Sequence, residues 1–158
     1  MVKKIDITIP ELTGDAVRKA YIYLPASYRT AKEKRYPVLY MFDGHNVFFD
    51  EDASFGKSWG MADFMDRTKK DLIIVAVECN HEGNCRLQEY SPINFENATL
   101  GKIKGRGSVY MNWLVNTLKG VLRNSLRKEA RYRRVFVPFR KYYESEQPDD
   151  LPLELLYQ

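Results

Sequence analysis

Gly56-Lys57-Ser58-Trp59-Gly60 spells the Gly-x-Ser-x-Gly pattern in which a serine is presented as a nucleophile on a sharp strand-to-helix turn. A serine used that way needs a histidine as general base and an acid to orient it. The chain has two histidines, His45 and His81. A second group of interest, Asp43-Gly44-His45, directly follows an apolar run ending in Phe42. A glycine-containing turn at that point sets backbone N–H groups at a sheet's carboxyl edge, where α/β proteins bind ligands. Glycine there permits a tight conformation and lets a substrate approach the main chain. A third group, Cys79, His81 and Cys85, offers three soft ligands within one loop. It lacks a fourth partner and matches none of the paired Cys-x-x-Cys zinc spacings, and Cys79 follows an apolar run where cysteine packs as a small hydrophobe. No metal and no cofactor are therefore expected. Asp50, Glu51 and Asp52 read as a solvated loop, not a cation site. Gly101-Lys102-Ile103-Lys104-Gly105-Arg106-Gly107 is basic and glycine-rich but has no Gly-Lys-Ser/Thr, so it reads as a flexible loop opening a helix, not as a phosphate cradle.

Elements able to position these residues are legible in the hydrophobic pattern. Ile5, Ile7 and Ile9 alternate with polar residues up to Pro10, and Ala20, Ile22 and Leu24 alternate with Tyr21 and Tyr23. Period two predicts two strands, and the turn chemistry of 11–15 between them predicts an antiparallel pair. Pro37 to Phe42 and Leu72 to Val77 are continuous apolar runs, the texture of strands covered on both faces in a parallel sheet. Between them, Ser58 to Arg67 has helical spacing with Trp59, Met61 or Ala62, and Met65 on one side, and Ser58 is placed to cap it. Residues 79–107 show no periodicity and read as a long loop. Met111, Leu114, Val115, Leu118, Val121 or Leu122, and Leu126 then recur every three to four residues, predicting an amphipathic helix capped by Ser108 and running to about Lys128. Val135 to Phe139 is a last short apolar stretch, and its Pro138 argues against a central strand. Two alternating strands, then buried strand, helix, buried strand, helix, is the opening of an α/β fold with an antiparallel edge.

Tyr40-Met41-Phe42-Asp43-Gly44-His45-Asn46 has companions in order: Tyr23-Leu24-Pro25 then Tyr28, Tyr36-Pro37-Val38-Leu39-Tyr40, Gly56-Lys57-Ser58-Trp59-Gly60-Met61, and Glu89-Tyr90-Ser91-Pro92. Together, over roughly residues 5–119, they resemble the N-terminal half of the putative-esterase branch of the α/β-hydrolases, the group that includes esterase D and enterochelin-esterase-like enzymes. The resemblance implies a partial α/β-hydrolase fold, with antiparallel N-terminal strands leading into a mostly parallel sheet flanked by helices. It also implies a serine carboxyl-ester hydrolase acting on small-molecule esters. The oxyanion hole would take one donor from the main-chain N–H of His45, directly after Gly44. A fixed N–H facing the charged oxygen of a tetrahedral intermediate is worth about 3 kcal/mol.

The same resemblance argues against Ser58. An elbow must follow a buried strand, yet 49–55 is acidic and carries none, and the family's nucleophile comes after the fifth strand. The text at that later place, Val135 to Lys141, has no Ser and no Gly, and no His follows His81. The charge pattern breaks at the same point. Residues 1–118 hold 16 Lys/Arg and 15 Asp/Glu, residues 119–141 hold nine basic side chains and Glu129, and residues 142–158 hold five acids and no base. The expectation is an esterase-like segment over 1–119, truncated before the elbow and inactive alone. Residues 120–158 would then be a divergent basic-then-acidic tail, the product of a frameshift or a differently evolved end. The alternative function is a non-catalytic binding module using the basic helix 119–134 for nucleic acid or another acidic partner. A solvated helix face explains such a block more simply, so nucleic acid is not the expected partner.

In all, 158 residues with 44% hydrophobic and 29% charged side chains make one ordinary globular domain, and 11 Tyr and 8 Phe supply a core. No apolar run approaches a membrane span, and the opening Met1-Val2-Lys3-Lys4 does not read as a signal peptide. Two cysteines in such a chain predict reduced thiols in a cytoplasm. A half-sheet would expose a strand edge, so self-association is expected.

Overall fold

The computed structural model describes residues 1–31 and 33–122. The short apolar stretch Val135–Phe139 and most of the basic block lie outside the described residues.

Strand β1 (Val2–Thr8) leads through a one-turn helix α1 (Pro10–Thr13) to β2 (Val17–Tyr23), and the two pair antiparallel with Ile5 opposite Ala20. Proline at the first position of α1 suits a helix start, since its missing N–H would have had no partner there. A 3-10 turn at Ala26–Arg29 precedes β3 (Val38–Met41), followed by a second 3-10 turn at Gly44–Asn46. Helix α2 (Met61–Thr68) crosses to β4 (Ile73–Val77). The sheet order is β1-β2-β4-β3, with β2 antiparallel and β3 parallel to β4. Two of the three pairings in this four-stranded sheet are antiparallel, where a mostly parallel sheet was expected. The reason is topological: only β3 and β4 are joined by a crossover helix, while β2 arrives from a hairpin-like turn.

Each face of the sheet has its own core. Ile7, Ala20, Ile22, Val38, Ile73, Val75 and Val77 pack against Tyr110, Trp113, Leu114, Leu118 and Leu122 of the last helical segment. On the opposite face Tyr21, Tyr23, Ile74 and Ala76 pack on Val47, Phe48 and Met65. β4 is buried at every position, as its unbroken apolar run implies. β3 is not: with β1 it is one of the two edges of the described sheet, and its Leu39 is 45% exposed.

Helix boundaries differ from the periodic reading. α2 begins at Met61 because Gly60 adopts a left-handed conformation (φ 65°) immediately before it, so Ser58 is not its cap and Trp59 stands half exposed outside it. The 79–107 stretch contains α3 (Cys85–Tyr90) and a small hairpin of β5 (Phe95–Asn97) and β6 (Gly101–Ile103), elements too short for a period to register. The glycine-rich run is packed, not open: a Cβ on Gly105 would meet Ile93 O at 2.2 Å, and one on Gly107 would meet Ser91 O at 2.7 Å. α4 (Gly107–Asn112) begins after Arg106, not Ser108, and continues as a π-helical turn over Trp113–Leu118. The wider turn shifts the buried stripe so that Trp113 joins it and Val115 moves to its margin.

One buried ion pair ties the layers. Arg18 Nη1 of β2 donates to both carboxylate oxygens of Glu89 on α3, at 2.9 and 2.8 Å, and the Asn80 N–H donates to Glu89 Oε1 at 2.8 Å.

Candidate active site at the carboxyl ends of two parallel strands

Because β3 and β4 run parallel and adjacent, the residues after each emerge at the same sheet edge. Asp43, Gly44 and His45 follow β3; Glu78, Cys79, Asn80 and His81 follow β4. Asp43 carries the turn. Its backbone is left-handed (φ 52°, ψ 48°), a region that Asp tolerates better than most residues. Three contacts over-determine it. The Asp43 N–H donates to Tyr90 Oη at 3.2 Å, and Arg86 grips the carboxylate through Nε to Oδ1 at 2.8 Å and Nη2 to Oδ2 at 2.6 Å. Burial alone would raise the Asp43 carboxyl, but the Arg86 fork outweighs it and holds the group below its ordinary value. Tyr90 is fixed in turn by stacking on Phe42, with ring centroids 4.5 Å apart.

Gly44 is closely packed by the neighbouring strand. A Cβ there would meet the β4 backbone at Ala76 O (2.6 Å), Ala76 C (2.7 Å) and Val77 C (2.9 Å). The close approach is to the neighbouring strand, and the unusual φ belongs to Asp43. The 3-10 turn closes with Asn46 N–H to Asp43 O at 2.8 Å and Val47 N–H to Gly44 O at 3.2 Å. The amides of Gly44 and His45 thus come ahead of the first bond of that turn, as the leading donors of a helical end do.

The His45 imidazole is 5% exposed. Its Nε2 lies 3.0 Å from Ser54 Oγ, and its Nδ1 is buried with no hydrogen-bond partner. Burial, and secondarily the His81 ring, pull its pKa down, so it is neutral at pH 7. His81 stands edge-on to it with ring centroids 4.5 Å apart. Cys79 Sγ lies 3.9 Å from His81 Nδ1, and burial followed by the Asp43 charge pushes its thiol up to about 12. Of the three soft ligands noted in the sequence, Cys79 and His81 come together with His45, while Cys85 opens α3 elsewhere. The sequence alone gave no signal for His45 as a member, because its proximity follows from β3–β4 pairing.

Ser58 sits in a loop with no strand running into it. Its Oγ and N–H both donate to Asp50 Oδ1, at 2.8 and 2.9 Å, and Lys57 Nζ donates to Asp50 Oδ2 at 2.9 Å. Ser54 does touch a histidine, but a triad needs a carboxylate on the histidine's other nitrogen, and here that nitrogen is unpartnered. Neither serine has the setting of an activated nucleophile.

A family model described as "Putative esterase" matches residues 13–136 of this chain. The chain belongs to the putative esterase family. The match runs past Lys119, into the basic block. Among solved structures, this esterase-family chain is similar to an IroE-like serine hydrolase from Shewanella oneidensis, at 17% identity and a TM-score of 0.52, over 84% of this chain and 39% of that one. It is also similar to the BES protein from Bacillus cereus, at 18% identity and a TM-score of 0.50, over 78% and 46% respectively. At those identities the likeness is one of fold. The chain spans less than half the length of either structure. No curated protein matches it. Among the described residues no helix is long and apolar enough to cross a membrane.

Proposed function

We propose that this chain carries the oxyanion-binding side of a serine carboxyl-ester hydrolase acting on small-molecule esters, with the main-chain N–H of His45 as the donor and Gly44 as the residue that lets the turn lie against β4. The observation that carries this reading is the over-determined left-handed Asp43. Held by Arg86 and Tyr90, it turns the chain so that the leading amides of a 3-10 turn stand at the carboxyl end of a parallel strand pair. A donor fixed this way needs no reorganisation when charge develops on a substrate oxygen. Hydrolysis also needs a serine, a histidine and an acid acting as a unit. Among the described residues no such triad is assembled, and no histidine follows His81. The chain by itself is therefore proposed to bind esters and carboxylates without turning them over, and residues 120–158 to be a separate divergent stretch.

The test is a titration of the isotope-labelled full chain with a short carboxylate such as butyrate, followed by amide NMR. The His45 amide should move most, with Gly44 beside it. A titration that leaves both unmoved sinks the assignment. p-Nitrophenyl acetate should be hydrolysed at the background rate, and turnover abolished by Ser54→Ala or Ser58→Ala would instead make one of those serines the nucleophile.

A further inference from the structure

We propose that His45, Cys79 and His81 form a binding site for a soft divalent cation, with Zn2+ as the best fit and one coordination position left open to water. Their donor atoms all lie within 4.8 Å of one another, though they come from two strand ends 34 residues apart in sequence. Donors around a tetrahedral zinc, at about 2.0 to 2.3 Å from the metal, stand roughly 3.3 to 3.8 Å from each other. The Cys79 Sγ to His81 Nδ1 separation of 3.9 Å is already close to that. His81 is 53% exposed along its side chain and has room to close the remaining gap.

The independent observation is the orphaned nitrogen. His45 Nδ1, on a ring that belongs to this cluster, is buried with no hydrogen-bond partner, a cost that a folded chain ordinarily avoids. The outer nitrogens are engaged. His45 Nε2 meets Ser54 Oγ at 3.0 Å and His81 Nε2 meets Glu78 Oε1 at 3.3 Å. A ring whose Nε2–H donates outward keeps its Nδ1 lone pair: the Glu78 carboxylate accepts from His81, and with the Ser54 hydroxyl accepting from His45 each imidazole has a bare Nδ1 for a metal. Histidine ligands of metals are commonly held this way, with a carboxylate or hydroxyl on the far nitrogen fixing tautomer and orientation. The thiol completes the set. It interacts with the Asp43 carboxylate when no ion is bound; on coordination its S–H bond breaks, a sulfur–metal bond forms, and the proton leaves to solvent. Two imidazoles and one thiolate suit zinc and its neighbours, not Mg2+ or Ca2+. The site does not depend on the esterase reading, because it uses the His45 side chain and not its amide.

The experiment is equilibrium dialysis of the full chain against micromolar ZnCl2 with metal analysis, and the same titration with CoCl2 followed by absorption. One ion per chain is expected, with a thiolate-to-cobalt charge-transfer band. Cys79→Ser should remove that band, and His81→Ala should weaken binding at least about tenfold. Cys85→Ser should leave both unchanged. Circular dichroism establishes that each variant is folded. Should Cys79→Ser fail to fold, His81→Ala, at a half-exposed position, decides the matter. No retained ion, binding unaffected by His81→Ala, or binding lost in Cys85→Ser would each overturn the proposal.

Discussion

The turn after β3 shows how one residue's conformation can be set by its neighbours' chemistry. Asp43 adopts a left-handed backbone that costs free energy, and Arg86 and Tyr90 together hold it there. From sequence, Asp43-Gly44 was legible as a turn after a buried strand, with glycine expected to permit its tight conformation. In the structure the left-handed φ falls on Asp43, and Gly44 supplies the missing Cβ that lets the turn touch β4. Asp50 yields a prediction at the same scale. The Ser58 backbone N–H, then Lys57 and the Ser58 hydroxyl, hold its carboxyl at about 2. A depressed carboxyl pKa means that the interaction is fully present above the ordinary value near 3.9 and is lost as pH falls through about 2. An NMR titration should therefore find the Asp50 carboxyl midpoint near 2, with the Ser58 amide shifting over the same range. Ser58→Ala should raise that midpoint by removing one donor. A midpoint near 3.9 in the parent chain would mean that Ser58 is not anchored.

Among the elements, strands were far more legible than the segments around them. β1, β2 and β4 declare themselves by alternation or by an unbroken apolar run, because each packs one or both faces on a core. α3, β5 and β6 leave no trace, since three to six residues cannot establish a period, and the π turn in the last helix breaks the period that was used to find it. The metal-capable cluster was hidden for a related reason: strand pairing, not sequence spacing, brings His45 to Cys79. The buried Arg18–Glu89 pair was equally invisible, with partners 71 residues apart. Removing one member strands the other's charge in the core. Glu89→Ala should cost about 3 to 5 kcal/mol in urea unfolding. The double variant Arg18→Met with Glu89→Leu should recover most of that loss, since hydrophobic replacements of a buried pair are often neutral. A single variant within about 0.5 kcal/mol of the parent would show the pair to be dispensable.

Over the whole molecule, the described residues build a sheet with a core on each face, and β3 is one of its two edges. Leu39 and Phe42 on and beside that edge are 45% and 38% exposed. An edge strand with apolar side chains is a template for pairing with another chain. Sedimentation of the full chain should show concentration-dependent self-association that Leu39→Lys reduces. A monomer over the whole concentration range would remove the expectation. The sequence reading located the change in charge near Lys119, while the family match continues to residue 136, so the family pattern tolerates part of the basic block.

Helix α3 holds opposite charges one turn apart, and each is claimed by a different strand: Arg86 by the residue after β3, Glu89 by β2. Six residues are too few to stay helical unaided. The segment works as a two-toothed key, since reversing it would set like charge against like, Arg86 toward Arg18 and Glu89 toward Asp43. Such a key sets α3 against the sheet by electrostatic registration instead of by bulk, with one tooth in the turn at Asp43 and the other in β2.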